Sequence, residues 1–116
     1  MSVFVNFSNH PSSFWTEEQL AASRQYGDVL DLPFPAVPAE ADEAEISALA
    51  EEYANKILAM NPSAVMCQGE FTLCFCVVCL LKEKNIPVLA ACSERKTVEK
   101  DGKKLSEFTF VRYRMY

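Results

Sequence analysis

Ala64–Leu81 reads AVMCQGEFTLCFCVVCLL and holds the strongest fold signal in the chain. Ala64-Val65-Met66-Cys67 is a short apolar run of the kind that forms a strand buried on both faces. Gln68-Gly69-Glu70 interrupts it with two polar side chains around a glycine, and Phe71–Leu81 is then almost wholly apolar until Lys82-Glu83-Lys84. Strand, polar turn and buried helix in succession place polar groups at the carboxyl edge of a parallel sheet. The turn at Gln68–Glu70 is therefore the first candidate for a site.

Outward from this unit, the rest of the chain repeats the alternation. Val3–Phe7 reads as a strand stopped by Ser8-Asn9-His10-Pro11. Thr16 with Gln19 forms a capping box for a helix running to about Tyr26, with Gly27 as its stop. Val29–Leu32 is a second strand, closed by Pro33-Phe34-Pro35. Asp42 with Glu45 caps a second helix whose stripe is Ile46, Leu49, Ala50, Tyr53, Ile57 and Met60. Asn61-Pro62 ends that helix. Val88–Cys92 follows as a fourth strand, with Ser93-Glu94-Arg95 directly after it. Lys100-Asp101-Gly102-Lys103 is a hairpin turn joining a short strand near Lys96–Glu99 to a longer one from Leu105 to about Tyr113.

The order βαβαβαβ plus a hairpin predicts an α/β fold: one Rossmann-like domain spanning residues 1–116. The expected sheet is parallel, in order 2-1-3-4, with helices on both faces and an antiparallel C-terminal hairpin. In such a sheet the ligand crevice lies where the strand order reverses, between strands 1 and 3. Ser8-Asn9-His10, Gln68-Gly69-Glu70 and Ser93-Glu94-Arg95 are expected to converge there. Arg95 suits a phosphate, and Gly69 allows close backbone approach at a helix N-terminus rich in free N–H donors. His10 is the single histidine and suits proton transfer. Glu70 and Glu94 can accept ligand hydroxyls or act as bases.

Each of these residues also has a purely structural reading. Asn9 and His10 can shape a loop before Pro11, Glu70 can complement a helix dipole, and Glu94 with Arg95 can form a surface ion pair. Asn6 reads as a buried, satisfied amide.

Composition narrows the function further. The 116 residues carry a net charge of −5, which argues against binding long nucleic acid. No apolar run reaches the roughly 20 residues of a membrane span. The N-terminus lacks a basic n-region and a long apolar stretch, so a cytoplasmic protein is expected. The five cysteines are an odd number, better suited to reduced thiols than to a disulfide framework. Cys76 and Cys79 form a C-x-x-C pair, but well inside an apolar helix, so they read as packing residues, with redox use as the alternative. One histidine does not support a His-based metal centre, and no cofactor is expected. The first turn has no glycine, which removes the dinucleotide fingerprint. The aromatic strand Phe108–Tyr116 supports a second reading, a non-catalytic interaction or scaffold protein.

NFSNHP at 6–11, DLPFP at 31–35, QGEFTL at 68–73, AACSER at 90–95 and FVRYR at 110–114, taken together, resemble small bacterial CRISPR-associated proteins. These are single Rossmann-like domains similar to CARF sensor domains. The resemblance implies a homodimer that binds cyclic oligoadenylate, and possible metal-independent ring-nuclease activity. It implies ligand contacts from Ser8, Asn9, Gln68, Gly69, Thr72, Ser93 and Glu94. Arg95 would hold phosphate, and His10 or Glu70 would assist proton transfer.

Overall fold

The computed structural model describes residues 2–116. Its elements are β1 (Val3–Ser8), a single 3-10 turn (Ser12–Phe14), α1 (Glu17–Arg24), β2 (Asp28–Pro33), α2 (Glu43–Ala59), β3 (Ala64–Cys67), α3 (Phe71–Glu83), β4 (Val88–Lys100) and β5 (Lys103–Met115). The five strands form one sheet, in order β2-β1-β3-β4-β5. All neighbours are parallel except β4 and β5. The expected α/β topology is therefore the observed one.

Strand alternation divides the core between the two faces. Val5, Phe7, Val65, Cys67 and Val88 pack against Ile46, Ala50, Ala54 and Ile57 of α2 and Leu73, Val77 and Leu81 of α3. Phe4, Met66, Leu89 and Tyr113 pack on the opposite side, with Ala22 of α1 and Trp15. Both capping signals are realised: the Thr16 side chain accepts from the Gln19 N–H, and the Asp42 side chain from the Glu45 N–H. Pro33 ends β2, and Asn61 and Asn85 adopt positive φ just beyond the ends of α2 and α3. Gly27 has φ 153°, and a Cβ there would lie 2.5 Å from the Ser2 backbone, so the approach to β2 requires glycine.

The largest departure from expectation is the hairpin. Ser93-Glu94-Arg95 does not follow the fourth strand but lies inside it, because β4 runs unbroken to Lys100 and β5 starts at Lys103. The chain between Pro87 and Gly102 holds no glycine or proline, and every residue from Leu89 to Lys100 has a partner on β5. By contrast β4 pairs with β3 only through Val88 and Leu89. Ala91 and Tyr113 still pack on the body, and beyond Cys92 the two strands leave it as an arm whose base is marked by a register shift at Cys92/Ser93, with Val111 the extra residue on β5. The arm accounts for a radius of gyration of 15.6 Å, where a compact chain of this length would have about 13 Å.

Candidate functional site

A groove of about 870 Å³ opens at the carboxyl ends of β1 and β3, on the α1 side of the sheet. This is the expected reversal point, and the volume lies within the range of small-molecule sites. One wall is the loop from β1 to α1, the floor is Met66, Gln68 and Ala91, and the far wall is the base of the arm.

The first wall is held by a polar network that starts in the sheet register. Asn6 stands beside Asp31 on β2. The Asn6 Nδ2 donates to Asp31 Oδ1 at 3.0 Å and to the His10 carbonyl at 2.9 Å, and its Oδ1 accepts from Ser8 Oγ at 2.6 Å. The His10 N–H donates to Ser8 Oγ at 3.2 Å. Asp31 Oδ2 accepts from both the N–H and the hydroxyl of Ser12, and Trp15 Nε1 donates to the His10 carbonyl at 3.0 Å. Asn6 and Ser8 are buried, and among the described residues no buried side-chain polar atom lacks a partner. The network fixes the His10 backbone, and His10 and Asn9 line the open groove.

The floor is fixed by side chains that finish what the short β3 leaves undone. With β3 ended at Cys67, the Ala91 N–H donates to Gln68 Oε1 at 2.9 Å. Gln19 Nε2 donates to the Tyr113 hydroxyl at 3.3 Å. The Ser23 hydroxyl donates to the Gln19 carbonyl at 2.7 Å, leaving its oxygen to accept from the Tyr113 hydroxyl, also at 2.7 Å. Burial pushes the Tyr113 phenol above its ordinary value, so it acts as a neutral donor.

Phe14, Trp15, Phe108 and Phe110 supply aromatic surface around the opening, and Ser93 a hydroxyl. Phe14 and Phe108 are 85% and 70% exposed, so their ring faces are free for a ligand. His10 is the only ionisable residue lining the groove.

Of the residues singled out from sequence, Asn9, His10, Gln68 and Ser93 meet in this groove. Ser8 is spent in the network behind it and borders a smaller pocket toward Asp31. Glu70 is the N-cap of α3: its Oε1 accepts from the Leu73 N–H at 2.8 Å and from the Thr72 hydroxyl at 2.6 Å. These bonds hold the Glu70 carboxyl below its ordinary value and occupy Thr72 as well. A Cβ on Gly69 would lie 2.6 Å from the Phe34 ring, so this glycine serves ring packing on the α2–α3 side of the sheet. Glu94 pairs with Thr109 and faces away from the groove, because it alternates with Ser93. The Arg95 guanidinium donates twice to Ser106 Oγ, at 3.2 and 3.0 Å, along the arm. No Glu94–Arg95 ion pair forms among the described residues, where Lys56–Glu52 is the one salt bridge.

Sequence reasoning missed Asp31, Gln19 and the groove aromatics Phe14 and Trp15. Asp31 was hidden because its role depends on cross-strand register. Gln19 was read only as a cap residue, whereas its backbone makes the cap and its side chain reaches Tyr113.

Of the C-x-x-C cysteines, read from the sequence as packing residues, only Cys76 packs against the core. All five are free thiols; Cys76 is half-buried and Cys79 exposed. The close pair is Cys67 and Cys74, with sulfurs 3.5 Å apart across the β3–α3 turn, behind the sheet from the groove. The Cys67 thiol bonded to Cys74 lowers Cys74 to about 7, while the same coupling and burial push Cys67 up. Tyr116 closes over them, donating its hydroxyl to the Cys67 carbonyl at 2.7 Å. No group of three or more His, Cys, Asp or Glu suited to a metal occurs among the described residues. Among the same residues no helix is long and apolar enough to cross a membrane.

No curated protein sequence and no solved structure matches the chain. A family model described as the uncharacterized protein MJ1673 family matches residues 2–114. With nearly every position covered, the chain belongs to the MJ1673 family.

Proposed function

We propose that the groove binds a nucleotide through its bases, and that the ligand is a cyclic oligoadenylate, the class implied by the CRISPR-associated resemblance. The observation that carries this reading is the lining. Phe14, Trp15, Phe108 and Phe110 surround a space bordered by the amides of Asn9, Gln19 and Gln68. Bases stack on aromatic rings for about 1–3 kcal/mol each, and a side-chain amide such as that of Asn9 matches the donor and acceptor pattern of an adenine edge. No arginine or lysine lines the groove. Recognition therefore falls on bases and ribose, and affinity should depend only weakly on salt, unlike binding built on phosphate contacts.

Cleavage of such a ring proceeds when a ribose 2′-hydroxyl attacks the adjacent phosphorus. The O2′–P bond forms, the P–O5′ bond breaks, and a 2′,3′-cyclic phosphate and a 5′-hydroxyl remain. Of the three residues named for this chemistry, His10 alone lines the groove, so it is the group to take the 2′-hydroxyl proton, while water protonates the departing O5′. Its rigid backbone anchor favours positioning. Binding is thus the primary reading, with ring opening resting on His10. A reducing cytoplasm accords with five free thiols.

Calorimetric titration with cyclic tri-, tetra- and hexa-adenylate in EDTA, followed by chromatography of the products, tests both parts. Binding of at least one ring is expected, with linear product that disappears in His10→Ala while binding persists. Failure of all three rings to bind removes the proposal.

A further inference from the structure

We infer that the free edge of the β4 arm pairs antiparallel with the same edge of a second copy, centred on Thr97. This follows from the arm alone and is independent of what the groove binds. Every residue from Ser93 to Thr109 is exposed. A lone two-stranded hairpin is marginal in water and leaves open edges that invite pairing. Val98 and Leu105, a cross-strand pair on one face, are 38% and 48% exposed.

The backbone direction of β4 is settled at both ends. At the tip, Asp101 and Gly102 have φ 55° and 73°, as a two-residue type I′ turn requires, so Lys100 and Lys103 exchange hydrogen bonds within the hairpin. At the base, the Ala91 N–H points the other way, to Gln68. Alternation between these two points turns the N–H and C=O groups of Ser93, Arg95, Thr97 and Glu99 toward the free edge. These are the groups a second strand would meet.

Charge selects the register. A two-fold axis perpendicular to the sheet keeps both copies facing the same way, so odd residues must pair with odd and even with even. Centring on Thr97 sets Arg95 against Glu99 and Glu94 against Lys100, each pair occurring twice, with the two Thr97 residues on the axis. All four contacts join opposite charges, which cross-strand neighbours favour. Centring on Lys96 or Glu99 puts like charges on the axis, and centring on Val98 sets Lys96 against Lys100. The outer edge of β5 is a poorer template: it carries Lys103, Lys104, Arg112 and Arg114 against a single acid, Glu107, and the bulge at Val111 interrupts it. In the Thr97 register the partner's Asp101 lies beside Ser93, so its turn reaches the rim of the groove.

Sedimentation velocity of the full chain, with Arg95→Glu, Glu99→Arg, their one-to-one mixture and the double variant, tests the register. The wild type is expected to dimerise. Each single reversal should lose the dimer, since it sets like charges against each other twice. The mixture should regain it as a heterodimer, because each copy then meets the opposite sign, and the double variant should dimerise alone, which also shows that these changes leave the fold intact. A monomeric wild type overturns the inference. So does a dimer indifferent to the single reversals, which would place the interface elsewhere, or a mixture that stays monomeric.

Discussion

Across the groove stand two walls made in opposite ways. On the β1 side, Asn6, Ser8, His10, Ser12, Trp15 and Asp31 use one another's donors and acceptors, so that wall is complete within the chain. On the β4 side, the arm carries a free strand edge and exposed apolar side chains, with Arg95 resting on a serine of its own hairpin. Rigidity therefore belongs to the first wall and partner binding to the second. The closed wall holds the His10 backbone in a fixed position, whereas the open wall has bonds still to make.

If that contrast holds, substitutions in the closed wall cost stability and those in the arm do not. Asn6→Ala removes two bonds from Nδ2 and the acceptor for Ser8, stranding buried groups. It should lower unfolding free energy by about 3 kcal/mol in a denaturant titration, toward the upper end for lost buried partners. Gly69→Ala, which drives a methyl into the face of Phe34, should cost about 2 kcal/mol in the same assay. Gly69 lies behind the sheet, so the folded fraction of Gly69→Ala should keep its ligand affinity, whereas Asn6→Ala also releases the His10 carbonyl and should lower turnover.

The dithiol gives a pH test of the body alone. Cys74 is lowered from an ordinary 9.0 to about 7, so between these values the folded pair has released a proton that the unfolded chain keeps. Stability should therefore rise from about pH 7 to 9. Above 9.0 the unfolded chain loses both thiol protons while Cys67 keeps its own, so stability should fall again. Unfolding midpoints measured across this range in reductant should show that maximum, and Cys74→Ala should remove the rise. The smallest effect belongs to the arm: Arg95→Glu should change monomer stability by no more than about 0.5 kcal/mol, as exposed substitutions do. A larger loss would mean that the arm is bound into the body and that the contrast is false.

Much of this architecture was legible in the chain. Caps at Thr16 and Asp42, the stop at Pro33 and the buried run Ala64–Cys67 are local signals, and three helical crossovers dictate a parallel sheet. The candidate site was legible at the level of topology: the strand reversal brings Asn9, His10, Gln68 and Ser93 together. What stayed hidden depends on distance through space. Glu70 looks catalytic until its carboxylate is seen capping its own helix. Arg95 looks like a strand-end cation until β4 is seen to continue past it. Asp31 reads as one more polar residue until the register places it beside Asn6, and Cys67 meets Cys74 only because the turn folds α3 back over β3.

On the proposed reading, Phe14, Trp15, Phe108 and Phe110 form a base-binding site. Trp15 is the chain's single tryptophan and lines the groove, so its fluorescence reports on occupancy directly. Titration with cyclic tetra-adenylate should change that emission saturably, with little dependence on salt, and Phe108→Ala should weaken binding by the loss of one stacking partner, about tenfold or more. Unchanged emission at every concentration, or a change that Phe108→Ala leaves intact, would contradict the account.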